Sequence, residues 1–206
     1  YTAFFGTIVV FAGAYFVEKS RGLKTGRSIL HLLSMMPMAI PGLVLGLAYI
    51  FFFNHPDNPL NFLYGTMAIL VICTITHFYT VSHLTGLTSL KQIDNEFEHV
   101  SSSLKQPFYK TFFRVTVPIS LPAIFEIGIY FFVNAMTTVS AVVFLYSSKT
   151  TLASVAVLNM DDAGDIAPAA AMGMMIFYTN AAVRIVYVII TKKILVRFQN
   201  WRKKTS

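Results

Sequence analysis

Hydrophobic residues in this chain come in long blocks rather than in alternation. Five blocks, at about 1–17, 28–53, 61–89, 115–147 and 166–191, are separated by shorter polar stretches. A helix crossing the hydrocarbon core of a bilayer needs about 20 apolar residues at about 1.5 Å of rise each. Four blocks reach that length and the first falls just short. The fourth exceeds it, so it is expected to tilt or protrude. The pattern predicts an all-α polytopic bundle of about five transmembrane helices.

The polar stretches carry local signals. Asn54-His55-Pro56-Asp57-Asn58-Pro59 reads as a tight turn, because Asn and Pro favour turn geometry. Residues 150–160 are too short to span and read as a short interfacial or external helix. Asp161 to Asp165 breaks it, and Pro168 falls in the first turn of the last span. The stretch 91–114 is long for a mere connection. Gln92 to Leu104 predicts an amphipathic helix with Ile93, Phe97, Val100 and Leu104 on one face, and Pro107 predicts the first position of a second helix. The expected result is a helix–turn–helix against one membrane face.

Composition strengthens the membrane reading. The chain is 206 residues long, 55% hydrophobic and 12% charged, against about 25% charged in a typical soluble domain. The net charge of +7 could suggest a nucleic-acid partner, but its distribution argues for topology instead. Lys19, Arg21, Lys24 and Arg27 follow the first block, and Lys91, Lys105, Lys110 and Arg114 follow the third. Lys192, Lys193, Arg197, Arg202, Lys203 and Lys204 follow the fifth. The alternate loops hold Lys149 with Asp57, Asp161, Asp162 and Asp165. The positive-inside rule then places 91–114 and the C-terminus in the cytoplasm. The single cysteine, Cys73, reads as a small core residue. Because Tyr1 opens inside an apolar block, the chain is expected to be one membrane domain, 1–206, clipped from a longer protein with a sixth helix before Tyr1.

Polar residues inside the spans are the candidates for function. Glu126, Tyr130, Asn134 and Thr137 with Thr138 recur at helical spacing on one face of the fourth span. A carboxylate within a span is costly and usually faces a bundle interior or a wet cavity. The stripe is therefore read as lining a substrate path, with helix–helix hydrogen bonding as the alternative. Pro37, Pro41, Gly42 and Gly46 predict a bent second span, serving either as a hinge or for close packing. His77 reads as a histidine bonded to a neighbouring helix rather than a proton relay. Arg184 is expected to snorkel, or else to pair with Glu126.

At the loop, the sequence resembles a known family. Ile93 through Lys105, followed by Pro107-Phe108-Tyr109-Lys110-Thr111-Phe112-Phe113-Arg114-Val115-Thr116-Val117-Pro118-Ile119-Ser120-Leu121-Pro122, is similar to the EAA loop of ABC importer permeases. The end of the motif fits closely. In its centre His99, Val100 and Ser101 occupy the Glu-Ala-Ala places, Glu98 sits one position earlier, and Lys105 stands where the family has glycine. Either Lys105 adopts the left-handed conformation, at roughly 1 kcal/mol, or Pro107 sets another turn. Residues 132–146 with 152–165 further resemble the 2-aminoethylphosphonate and ferric-iron type permeases, of which this would be most of a second half.

The resemblance implies a transport subunit of a bacterial inner membrane, not an enzyme. Asp94, Glu96, Glu98, His99, Val100, Ser101, Leu104, Lys105, Pro107 and Tyr109 would form a coupling helix docking on a separate ATPase. ATP and Mg would bind that partner, and no cofactor or metal would bind this chain. A second permease half and a periplasmic substrate-binding protein would complete the system, with 2-aminoethylphosphonate the expected cargo and ferric iron the alternative. No Walker A loop, catalytic triad or cofactor fingerprint occurs in the sequence. An ion-coupled secondary transporter would call for several buried acids or histidines and an inverted repeat, where Glu126 and His77 stand alone.

Overall fold

A computed structural model describes residues 1–19, 24–94 and 96–203, without the side chains of Glu98 and of residues 193–203. The described chain is all-helical, in two compact units, Tyr1–Leu152 and Ala153–Ser206. The first unit holds α1 (Thr2–Lys19), α2 (Lys24–Met35), a 3-10 turn (Met36–Ala39), α3 (Gly42–Phe53), α4 (Met67–His77) and α5 (Tyr79–Lys91). It continues with α6 (Glu96–Ser103), α7 (Phe108–Thr111), a π turn (Phe112–Thr116) and α8 (Val117–Thr137). The second unit holds α9 (Ala153–Asp162) and α10 (Ile166–Lys203).

Three helical runs are long and apolar enough to cross a membrane unaided: Thr2–Lys19, Phe108–Thr137 and Ile166–Lys192. The second and third apolar blocks are instead bent pairs. Lys24–Ala39 meets Gly42–Phe53 at 111°, and Met67–His77 meets Tyr79–Lys91 at 58°. Five crossings result only if each bent pair counts as one. The first bend has a local cause. Ile40, preceding Pro41, is pushed to extended backbone (φ −101°, ψ 119°), and Pro41 itself lies at ψ 139°, so the helical ladder stops and restarts at Gly42.

The core of the first unit forms where α1 packs against α5 and α8. Val10, Phe11 and Ala14 meet Leu90, Ile93, Ile127 and Phe131, all nearly or fully buried. The opposite face of α1, with Phe4, Phe5, Ile8 and Val9, is exposed, as suits a lipid-facing surface. Arg27 of α2 donates to the backbone carbonyls of Val17 and Glu18, satisfying groups that the end of α1 leaves open. At the other end, Asn58 and Asn61 donate to the carbonyls of Phe52 and Phe53 and close α3, as the turn signals predict.

The fourth block differs from expectation. Its helix stops at Thr137, and residues 138–152 form turns rather than a protruding extension of the span. Ala141, Val142 and Leu145 are buried, and the Ala141 carbonyl accepts a hydrogen bond from Cys73 Sγ of α4 at 3.3 Å. The same segment lies against the start of α3. A methyl group at Gly42 would fall 2.5 Å from Ser140 Oγ and 3.1 Å from His77 Cε1, and one at Gly46 would fall 2.8 Å from the Ala141 carbonyl oxygen. Both glycines thus serve close packing between a broken helix and a turn segment.

In the second unit, α9 ends in a Schellman cap. Gly164, at φ +85°, donates its N–H to Asp161, and Asp165 donates to Met160. On α10, Arg184 is exposed and lies over the Tyr187 ring at 5.4 Å.

Replacing Gly46 with leucine should force α3 away from the 138–147 turn. We expect a loss of roughly 1–3 kcal/mol, the usual range for overpacking. Thermal unfolding of the detergent-solubilised protein measures it, and Leu47→Ala on the exposed side of α3 should cost less.

Candidate functional site

Two features of the first unit gather the residues singled out by sequence. One is the α6–α7 loop and the other is a groove between α5 and α8.

The loop begins where α5 ends at Lys91. Ile93 is drawn into the core beside Leu90, and Lys19 Nζ donates to its carbonyl at 3.4 Å. The amphipathic helix expected over 92–104 is therefore shorter, Glu96–Ser103, because Ile93 leaves it for the core. Asp94 restarts the helix, its carboxylate accepting the Glu96 N–H at 3.0 Å. Asp94 and Glu96 also place negative charge where the helix dipole favours it.

The end of α6 is a second Schellman cap. Lys105 donates to the Ser102 carbonyl and Gln106 to the Ser101 carbonyl, both at 3.0 Å. Lys105 lies at φ +51°, the one non-glycine residue at positive φ among those described. Of the two turn geometries open in the sequence, the left-handed one is adopted. It is the same turn that Gly164 makes after α9, here made by a lysine. Pro107 caps α7 rather than opening it, one position earlier than expected, with Lys110 N–H bonded to its carbonyl at 3.0 Å.

Phe97, Val100 and Leu104 point outward and are 49%, 57% and 65% exposed. The apolar face of α6 is thus not spent on packing against the spans. With Asp94, Lys110 and Arg114 it walls a groove of about 650 Å³. His99, Lys105 and Tyr109 are exposed as well. Ser101 and Thr111 share a hydroxyl–hydroxyl hydrogen bond that ties α6 to α7. The π turn then joins this loop to the spans, because Phe112 stacks edge-on to Tyr15 of α1 at 4.6 Å.

The second feature opens between α5 and α8. It is a groove of about 620 Å³ with Glu126, Pro122 and Ile119 on one side and Thr85, Thr88 and Ser89 on the other. Gln92 and Met38 also line it, and Glu126 is its one charged side chain among the described residues. The groove joins Glu126 to hydroxyls that sequence reasoning overlooked. Thr85, Thr88, Ser89 and Gln92 follow i, i+3, i+4, i+7 spacing, a signal present in the chain but masked by the apolar residues between them.

The rest of the predicted stripe is placed differently. Tyr130 packs edge-on to Phe78 at 6.0 Å. Asn134 and Thr137 bond the carbonyls of Tyr130 and Val133 one turn back, at 2.8 and 3.0 Å. Thr138 lies beyond the end of α8 and is buried. His77 stacks edge-on to Phe78 at 4.6 Å, and its Nδ1 is buried without a hydrogen-bond partner among the described residues.

A carboxylate beside hydroxyls and an amide, on a face bordering two spans, suits a polar or cationic solute that exchanges water for these groups. An exposed apolar helix, capped at both ends and stapled to the next, suits a protein groove.

The chain matches the family model described as "Binding-protein-dependent transport system inner membrane component" over residues 9–196, and it belongs to that family. It is 32% identical over 182 residues to the ferric transport system permease protein FbpB of Actinobacillus pleuropneumoniae, covering 88% of this chain and 25% of that protein. A putative FbpB of Haemophilus influenzae is 34% identical over 149 residues, covering 72% and 22%. The chain thus spans about a quarter of the length of these relatives. A putative 2-aminoethylphosphonate transport system permease protein PhnV of Salmonella paratyphi A is 29% identical over 159 residues, covering 75% and 57%. The fold is shared with the crystal structure of a bacterial ABC transporter involved in the import of alginate. The TM-score is 0.74 at 12% identity, covering 93% of this chain and 77% of that one.

Exchanging Lys105 for glycine should relieve the left-handed strain and stabilise the loop by about 1 kcal/mol. Amide hydrogen exchange over 96–111 should slow in that variant, whereas Gly164→Lys should speed exchange at the end of α9.

Proposed function

We propose that this chain is part of the membrane-embedded permease of an ATP-driven importer, working with ATPase subunits, a second permease half and a binding protein that delivers cargo. The observation that carries this is the outward apolar face of α6, Phe97, Val100 and Leu104, inside a loop of the family's coupling type. In this reading the basic loops and the C-terminus face the cytoplasm, and 1–206 is one permease domain of a longer protein. Hydrolysis belongs to the partner; the α6–α7 staple and the Phe112–Tyr15 contact carry its motion to α1 and α8. Each state need differ by only a few kcal/mol for the pore to change its open side.

For the cargo we infer ferric iron ahead of 2-aminoethylphosphonate. The relatives named for ferric transport that match two thirds or more of this chain are 30–34% identical to it, against 28–29% for those named for the phosphonate. The groove agrees in charge, since Glu126 favours a cation and the described groove residues include no cation for a phosphonate. The ammonium group of 2-aminoethylphosphonate would also suit Glu126, so uptake and not groove charge separates the second reading from the first.

In proteoliposomes holding the full transporter, ATP-dependent uptake of radiolabelled ferric iron should exceed that of 2-aminoethylphosphonate. The reverse order would select the second reading, and uptake of neither would remove both. Glu126→Gln should cut uptake roughly tenfold or more, the worth of one hydrogen bond to a charged group, while ATPase activity persists. Val100→Asp on α6 should instead weaken co-purification of the ATPase subunit and leave the permease folded.

A further inference from the structure

A cleft of about 290 Å³ opens where α1 ends, α2 begins and α5 ends. Its α2 wall is a single helical face: Lys24, Arg27, Ser28 and His31, at i, i+3, i+4 and i+7. Lys91 faces it from the last turn of α5, and Glu18 from the last turn of α1 is its one acid among the described lining residues. Three permanent cations against one carboxylate leave the cleft with a net charge of about +2, and Ser28 adds a hydroxyl donor. Arg27 is held in place because it also donates to the Val17 and Glu18 carbonyls. The cationic arrangement is therefore built into the joint between α1 and α2.

The other face of α2 is apolar and uncovered. Ile29, Leu32 and Leu33 are 52%, 65% and 54% exposed at i, i+3, i+4, and Met36, which opens the 3-10 turn, is 52% exposed beyond them. One twelve-residue helix thus presents a basic cleft on one side and bare hydrocarbon-compatible surface on the other. This is the pattern of a helix lying at the boundary of headgroups and acyl chains. A phosphate diester with attached acyl chains satisfies both faces at once, whereas free phosphate satisfies only the cleft.

We propose that this cleft binds the phosphate of an anionic phospholipid whose acyl chains lie along Ile29, Leu32 and Leu33. It rests on the membrane placement of the chain and not on its role in transport. Bound there, the lipid would bridge α2 to α5 through Lys24 and Lys91 and so brace the helix that leads into the 111° bend.

Native mass spectrometry of the full transporter, taken from nanodiscs of phosphatidylglycerol and phosphatidylcholine in equal parts, tests this. The wild type should retain phosphatidylglycerol adducts, and Lys24→Gln with Lys91→Gln should lower their retention roughly tenfold or more. The charge-preserving pair Lys24→Arg with Lys91→Arg should keep the adducts, which separates lost charge from misfolding. Lys149→Gln, outside the cleft, should change nothing. Equal adducts in wild type and the glutamine pair would overturn the proposal. So would phosphorus-NMR broadening of inorganic phosphate that the glutamine pair abolishes while lipid adducts persist, since the cleft would then be a free-phosphate site. Uptake assays on the same variants are read separately, so failure of the transport reading leaves this result standing.

Discussion

In hydrocarbon no water is present to satisfy a backbone N–H or C=O, so each interruption of a spanning helix must be covered by protein. This chain interrupts itself twice in places that meet. Pro41 ends the ladder before α3, and Thr137 ends α8 before a segment of turns. The two breaks lie against each other: Gly42 and Gly46 let α3 approach Ser140 and Ala141, and Cys73 reaches the Ala141 carbonyl. A side chain at Gly46 would part them and expose unsatisfied backbone on both sides. The bend in α2–α3 and the early stop of α8 are therefore one feature with two ends.

That joint fixes what the first unit can offer elsewhere. With α3 and the 138–147 segment covering each other, α1, α5 and α8 are left to form a compact three-helix core around Phe11, Ile127 and Phe131. The inner face of α5, through Gly86 and Leu90, is used up there, and Ser82 and His83 are buried as well. Its other face, Thr85, Thr88 and Ser89, is left free to line the groove with Glu126. A spanning helix has room for both because its period separates them by roughly a quarter to a half turn.

Hydropathy made the helical class and the places of the apolar blocks readable, because the bilayer imposes a length on every crossing. The 111° bend was half readable: Pro37 and Pro41 announced a break, but its angle depends on the packing of Gly42 against Ser140, far away in sequence. The end of α8 was not readable, since Val139 to Tyr146 is as apolar as a span and its burial comes from tertiary contacts. At the candidate site, Glu126 stood out as a charge among apolar neighbours, whereas the α5 hydroxyls did not, because threonine and serine are common in spans and often bond their own helix, as Thr85 does to Val81. The place of Lys105 was visible only as a departure from a family pattern, and its φ of +51° required the structure.

The loop and the groove are connected by material of uneven stiffness. From α6, the Ser101–Thr111 bond and the Lys19–Ile93 bond hold the loop to the core, and Phe112 seats the π turn on α1. Beyond Phe112 the helical ladder is weaker. The π turn widens it, and Pro118 and Pro122 each lack the N–H that would close the next bond. Glu126 sits one turn past Pro122, on the stiff remainder of α8. The proline-weakened stretch runs into the groove itself, since Ile119 and Pro122 line it with Glu126. Bending there would change the separation of α8 from α5, and with it the distance between Glu126 and the α5 hydroxyls. The missing backbone donors therefore lie where a bend of α8 would change the groove most directly.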